Sequence, residues 1–277
     1  MNKKLIIRQH LIKKFKRNTK FDIYYINAPA GYGKTTFINQ LAQLSPEIFH
    51  YVQIPLKAKF TSISFIYFLT KKLFPQNSSL IEEIKESNQN VDFENSEENF
   101  IGMFVNSLTQ DKSMKYLVID DLQNMVLELW FIDFVQKILD FSDSNLKLVL
   151  LSRDEPIDEF SLFLAKRRML LFDRTDLILS DKELIELAKS IYGIDLSLLE
   201  AEKLNKKFDG WITGYHFFFE ELQTKGKSYL RSNKYPILSY NYLAYEIFSN
   251  KSAYEKKFIL YSALLDKFTK SDLKEIF

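Results

Sequence analysis

The sequence predicts an α/β fold: a five-stranded parallel sheet flanked by helices, followed by an all-helical part. Three observations predict it. Short β-branched and aromatic runs alternate with segments of helical period five times before residue 180. Two of those runs, in "KYLVIDD" (115–121) and "LKLVLLSR" (146–153), are almost continuously apolar, as parallel strands covered on both faces are. From about residue 181 strand-like runs stop and helical periods continue alone.

The elements follow in order. "DIYYINA" (22–28) reads as a strand closed by Pro29 and Gly31. Phe37, Ile38, Leu41 and Leu44 recur at helical spacing from Lys34 onward. "IFHYVQI" (48–54) is a second strand, closed by Pro55, and "SISFIYFLTKKLF" (62–74) a helix that Pro75 ends. The polar, acidic stretch 76–99 reads as a short helix and a loop, and 98–110 as an amphipathic helix. Strands at 115–121 and 146–153 bracket a helix over 125–141. A helix over 160–169 and a last strand within 170–180 complete the sheet. Three helices then follow over 181–192, 197–208 and 211–222. A polar, basic linker spans 224–236, and two or three more helices run to 277.

Composition narrows the function classes. The 277 residues are 46% hydrophobic and 27% charged, with a net charge of +2, so no bulk field argues for nucleic acid or a membrane surface. Basic residues crowd into 1–20 without an acid, where interleaved Leu5, Ile6, Leu11, Ile12 and Phe15 mark a packing helix. There is no cysteine, which excludes disulfide and thiolate chemistry, and three scattered histidines do not form a metal cluster. No signal-peptide core or membrane-length apolar run occurs, so a soluble, cytoplasmic protein is expected.

The chemistry concentrates in "APAGYGKT" (28–35), which fits the phosphate-loop pattern GxxxxGK[ST] with Ala28 in place of the first glycine. Gly31 and Gly33 let the backbone turn its N–H groups around anionic oxygens. Ala28, Pro29, Ala30, Gly31, Tyr32, Gly33, Lys34, Thr35 and Thr36 are therefore the candidate nucleotide-binding residues. Lys34 can reach the β- and γ-phosphates, and the Thr35 hydroxyl can ligate Mg²⁺. The competing reading is a glycine turn that binds nothing.

"YLVIDD" supplies a second set of groups. Asp120, at the carboxyl end of a buried strand, would hold Mg²⁺ through water, opposite Thr35, and Asp121 would orient or polarise the attacking water. Two acids in this place can also simply open a loop and cap the helix at 125–141. Arg153 ends the next strand and can reach a γ-phosphate, or pair at the surface with Asp154 or Glu155.

Five segments in order, "APAGYGKTTF", "YLVIDDLQ", "LKLVLLSRDEP", "DLILSDKEL" and "FDGWITGYHF", resemble the ATPase module of MalT-type regulators. These are large LuxR-type transcriptional activators within the signal-transduction ATPases with numerous domains (STAND). "IIRQHLIKKFKR" (6–17) resembles their lead-in segment beside the adenine, which adds Arg8 to the candidate nucleotide-binding residues. Residues 241–269 resemble the start of their winged-helix domain. The resemblance implies a P-loop NTPase domain with its lead-in over 1–180, a helical subdomain over 181–225 and a winged-helix start over 234–277. It also implies ATP, ADP and Mg²⁺ as ligands, with Lys34, Asp121 and Arg153 as catalytic residues. In function it implies a switch: an ADP-bound resting state, a self-associating ATP state, slow hydrolysis, and DNA contact only through a C-terminal domain outside residues 1–277. Where the family usually has proline after "GW", this chain has Ile212. A stand-alone P-loop ATPase with a winged helix, or a nucleotide-binding scaffold without turnover, are the alternative readings.

Overall fold

The structure, a computed structural model, describes residues 6–87, 93–232, 234–249, 251–264 and 269. The chain divides into two compact units, residues 1–212 and 213–277.

The first unit is built on five parallel strands: β1 (Ile23–Asn27), β2 (Phe49–Gln53), β3 (Lys115–Asp120), β4 (Leu146–Ser152) and β5 (Met169–Phe172). Their spatial order is β2-β3-β4-β1-β5. β4 therefore lies between β1 and β3. Every residue of β3 and β4 is buried, which accounts for their unbroken apolar runs. The register places Gln53 beside Asp120, Ile119 beside Leu150 and Asn27 beside Ser152, so four strands end within one residue of the same level.

Side-chain alternation along β1 splits the two tyrosines of "IYYIN" between the faces of the sheet. Tyr24 stacks on Phe15 at 4.3 Å, the side covered by α1 (Gln9–Arg17) and α2 (Lys34–Leu44). Tyr25 meets Phe160 edge-on at 5.6 Å within the larger core. That core is filled from α3 (Ser62–Leu73), α4 (Ser78–Ser87), α5 (Phe93–Thr109) and α6 (Leu129–Phe141).

Several elements differ from the sequence reading, among them the helix expected over 98–110, which starts at Phe93. The helix expected over 125–141 starts at Leu129, because Leu122–Asn124 forms a 3₁₀ turn and Met125 is extended. The helix expected over 160–169 shrinks to α7 (Ser161–Ala165), since Arg167 turns left-handed with φ 54 and the chain enters β5. After β5 comes α8 (Arg174–Leu177), opened by an Asp173 cap that accepts from the Thr175 and Asp176 N–H groups.

α9 (Asp181–Tyr192) and α10 (Leu198–Phe208) both open on serine capping boxes, Ser180 with Glu183 and Ser197 with Glu200. Glu183 also clamps the N-terminal segment. Arg8 is 4% exposed, and its guanidinium donates to Glu183 Oε1 at 3.1 Å and to the carbonyls of Leu177 and Ile178. Burial opposes ionisation of Glu183, yet the Ser180 N–H and Arg8 outweigh it and hold its carboxyl below the ordinary 4.5.

α11 (Ile212–Lys225) begins at the unit boundary, and the second unit adds α12 (Ile237–Phe248) and α13 (Ala253–Ser262). Within that unit Phe218 stacks on Tyr229 at 5.3 Å, and Glu221 accepts the Ile237 N–H at the start of α12. The linker expected over 224–236 contains a 3₁₀ turn, Lys227–Arg231. Any helix after 264 lies outside the described residues. Among those described, no helix is long and apolar enough to cross a membrane.

Breaking the clamp leaves a buried guanidinium without its carboxylate. Glu183→Gln is expected to destabilise the first unit by about 3 kcal/mol, read by urea unfolding. The stabilisation from Glu183 is fully present above pH 4.5 and is lost as pH falls through the depressed folded value. The difference between wild type and variant should therefore shrink in acid.

Candidate functional site

The loop 28–35 leaves β1, the strand between β4 and the edge strand β5, and enters α2. Gly31 and Gly33 have φ of 84° and 83°, values that side-chain-bearing residues rarely adopt. Ala28 is fully buried, which is why a small residue stands at the first loop position. Lys34 is buried and folds back to donate to the carbonyls of Ala28 and, at 3.2 Å, Pro29. Thr36 is half-buried in the first turn of α2.

Thr35 and Asp120 are 85 residues apart in sequence and meet above β4. Thr35 Oγ1 donates to Asp120 Oδ2 at 2.6 Å. Tyr51 OH donates to the same oxygen at 2.6 Å, and the Asp121 N–H donates to Oδ1 at 2.7 Å. Asp120 is 1% exposed, so these donors are what make its burial tolerable. Burial and the adjacent carboxylate push the Tyr51 phenol far above its ordinary value, so it stays a donor.

Asp121 turns left-handed, φ 57. Its Oδ2 accepts from Gln53 Nε2 at 2.7 Å and its Oδ1 from Gln123 Nε2 at 2.9 Å. It stands at the N-cap of the 3₁₀ turn Leu122–Asn124 without a side-chain cap bond, and it does not cap α6, which starts after Glu128. Gln123 in turn accepts the Arg153 N–H at 3.0 Å, and the Arg153 side chain is exposed at the end of β4.

A second set of residues fastens the loop from outside the sheet. The α10–α11 turn carries "DGW". Asp209 and Gly210 both turn left-handed, and a Cβ on Gly210 would lie 2.3 Å from Ile178 Cβ, so only glycine fits. The turn brings Trp211 Nε1 within 3.0 Å of the Ala30 carbonyl. Ile212 Cδ1 lies 3.0 Å from where a Cβ on Gly33 would stand. Asp209 pairs with Arg174, whose guanidinium lies 5.9 Å from the Tyr32 ring centre.

The family model of the AAA domain matches residues 19–156. The chain carries a P-loop NTPase domain. No curated protein matches the chain. Among solved structures, the Walker-type ATPase of Pyrococcus abyssi is 14% identical over 79% of this chain and 67% of its own, with a TM-score of 0.48. A structure of Drosophila ORC bound to GC-rich DNA and Cdc6 is 12% identical over 88% of this chain and 83% of its own, with a TM-score of 0.38.

The P-loop domain brings the sequence-predicted residues 28–36 and Asp120 into one site, and sets Asp121 and Arg153 at its edge through Gln123. Arg8 is placed differently: its guanidinium is occupied by Glu183 and two carbonyls, and its backbone N–H by Gln40. Sequence reasoning missed Tyr51, Gln53 and Gln123. For Gln53 and Gln123 the available signal was their polar character at or just past the carboxyl ends of strands, where open parallel sheets bind ligands; Tyr51, in the middle of β2, carried no such signal.

The donor set fits Mg²⁺: a hydroxyl and a carboxylate, hard oxygens 2.6 Å apart. Among the described residues no cluster of three His, Cys, Asp or Glu could hold a metal unaided.

Lys34→Ala removes the one loop cation. It is expected to weaken nucleotide affinity at least about tenfold, from loss of hydrogen bonds to charged oxygens. Titration with a fluorescent nucleotide checks this, and unchanged affinity would remove Lys34 from the site.

Proposed function

We propose that the chain binds ATP or ADP with Mg²⁺ at loop 28–35 and acts as a nucleotide-dependent switch with slow hydrolysis. In this reading Lys34 holds the β- and γ-phosphates, and Thr35 and Asp120 hold the ion. Asp121 orients the attacking water, and Arg153 contacts the γ-phosphate. Mg²⁺ supplies charge neutralisation at the phosphate oxygens when bound. Arg8 contributes by fixing the lead-in segment rather than through its guanidinium, which Glu183 holds.

The observation that carries the switch reading is the Trp211 hydrogen bond to the Ala30 carbonyl. A loop that wraps its N–H groups around phosphates must adjust its carbonyls as well, and one of those carbonyls is held by the α10–α11 turn. Ligand state is thereby linked to the helical part. The two carboxamides hold Asp121 in one orientation and take one lone-pair site on each of its oxygens, which leaves a second site on each for a water.

The finer proposal follows the resemblance: a STAND module of a MalT-type transcriptional regulator. Residues 1–180 would form the nucleotide domain, 181–225 a helical subdomain and 234–277 the start of a winged helix. The ATP state would self-associate, and DNA would be contacted by a further C-terminal domain.

The chain has two tryptophans, so Trp130→Phe leaves Trp211 as sole reporter. Its emission is expected to change on adding Mg²⁺ with ADP, and to differ with a non-hydrolysable ATP analogue. Identical spectra for all three states would sink the switch. Asp121→Asn is expected to keep nucleotide affinity within about twofold while turnover falls at least about tenfold. Undiminished phosphate release would end its assigned role.

A further inference from the structure

Gln123 uses both ends of its side chain. Nε2 donates to Asp121 Oδ1 at 2.9 Å, and Oε1 accepts the Arg153 N–H at 3.0 Å. A carboxamide has one donating and one accepting end, so these two bonds fix its orientation. They join the turn after β3 to the end of β4, which are neighbouring strands.

Each partner is held on its other side. Gln53, from β2, takes the second oxygen of Asp121 at 2.7 Å. Beyond Arg153, the Asp154 N–H donates to Ser152 Oγ at 3.1 Å, and Tyr25 OH donates to the Asp154 carbonyl at 3.2 Å. Both partners of Gln123 are thus ordered, and a bond of 3.0 Å has little slack. A shift of residue 153 by more than about 0.5 Å either drags Gln123 along or breaks the bond.

We propose that Gln123 is a positioning residue that couples Arg153 to Asp121, so that contact of Arg153 with a terminal phosphate sets where the Asp121 carboxylate lies. The inference rests on the reading of this site as one for a nucleoside triphosphate.

The test measures Mg²⁺-dependent affinities of the 277-residue chain for fluorescent ADP and a fluorescent non-hydrolysable ATP analogue. The forms compared are wild type, Gln123→Leu, Arg153→Ala, the double variant Gln123→Leu/Arg153→Ala, Gln123→Glu, and Gln123→Glu combined with Asp121→Asn. Gln123→Leu is expected to leave ADP affinity within about twofold and to lower the preference for the triphosphate about tenfold. The double variant is expected to lose no more than Arg153→Ala alone, as members of one chain of bonds do. Gln123→Glu keeps an acceptor for the Arg153 N–H but faces Asp121 with a second carboxylate. Adding Asp121→Asn restores a donor and is expected to recover the preference.

A merely structural role would lower both affinities together and would show no recovery in the exchanged pair, and either result overturns the inference. Additive losses in the double variant, or an unchanged preference in Gln123→Leu, overturn it while leaving the nucleotide site standing. A wild-type chain that binds neither nucleotide overturns the underlying reading and this inference with it.

Discussion

A carboxylate with 1% of its surface exposed governs this site. A buried charge must be hydrogen-bonded or the fold cannot carry it. Asp120 meets that demand with three donors from separate places: Thr35 in the first turn of α2, Tyr51 on β2, and the backbone of Asp121. The loop's helix, the edge strand and the turn after β3 therefore share one anchor. Because β4 lies between β1 and β3, the loop between Asn27 and Lys34 has to bring Thr35 past the end of β4 to meet Asp120.

Around that anchor lies a layer of neutral amides. Gln53 and Gln123 hold both oxygens of Asp121, and Gln123 extends the chain of bonds to Arg153. Amides suit this place. They donate without adding a positive charge that would pair off the acids, and each has a fixed polarity that makes the network directional.

The helical end of the first unit reaches the same loop by packing and single hydrogen bonds. The "DGW" turn has three constraints in three residues. Asp209 is left-handed and paired with Arg174, Gly210 is pressed against Ile178, and Trp211 is bonded to Ala30. On the other side, Arg8 binds the lead-in to Glu183 and to the carbonyls of residues 177 and 178. Those carbonyls precede α9, and Ile178 is also the residue that abuts Gly210. The lead-in, the segment after β5 and the α10–α11 turn thus converge on one short stretch of chain.

The sequence by itself determined the parallel sheet and the phosphate loop. Both are written locally. Continuous apolar runs are what strands covered on both faces require, and glycines at 31 and 33 are what a loop with positive φ requires. The pairing of Thr35 with Asp120 was legible for the same reason, since each sits in its own short motif. Tertiary structure alone decided the order of the strands, and with it the partners Tyr51 and Gln53, whose meaning depends on β2 lying beside β3. It also decided Arg8. In sequence the lead-in resemblance made it a candidate nucleotide-binding residue; in the fold its guanidinium is claimed by an acid 175 residues away. Helix boundaries after β3 and before β5 escaped prediction because left-handed turns at Asp121 and Arg167 are imposed by the neighbouring strand ends. Aspartate tolerates that region more than most residues do, but nothing in the propensity of arginine marks residue 167.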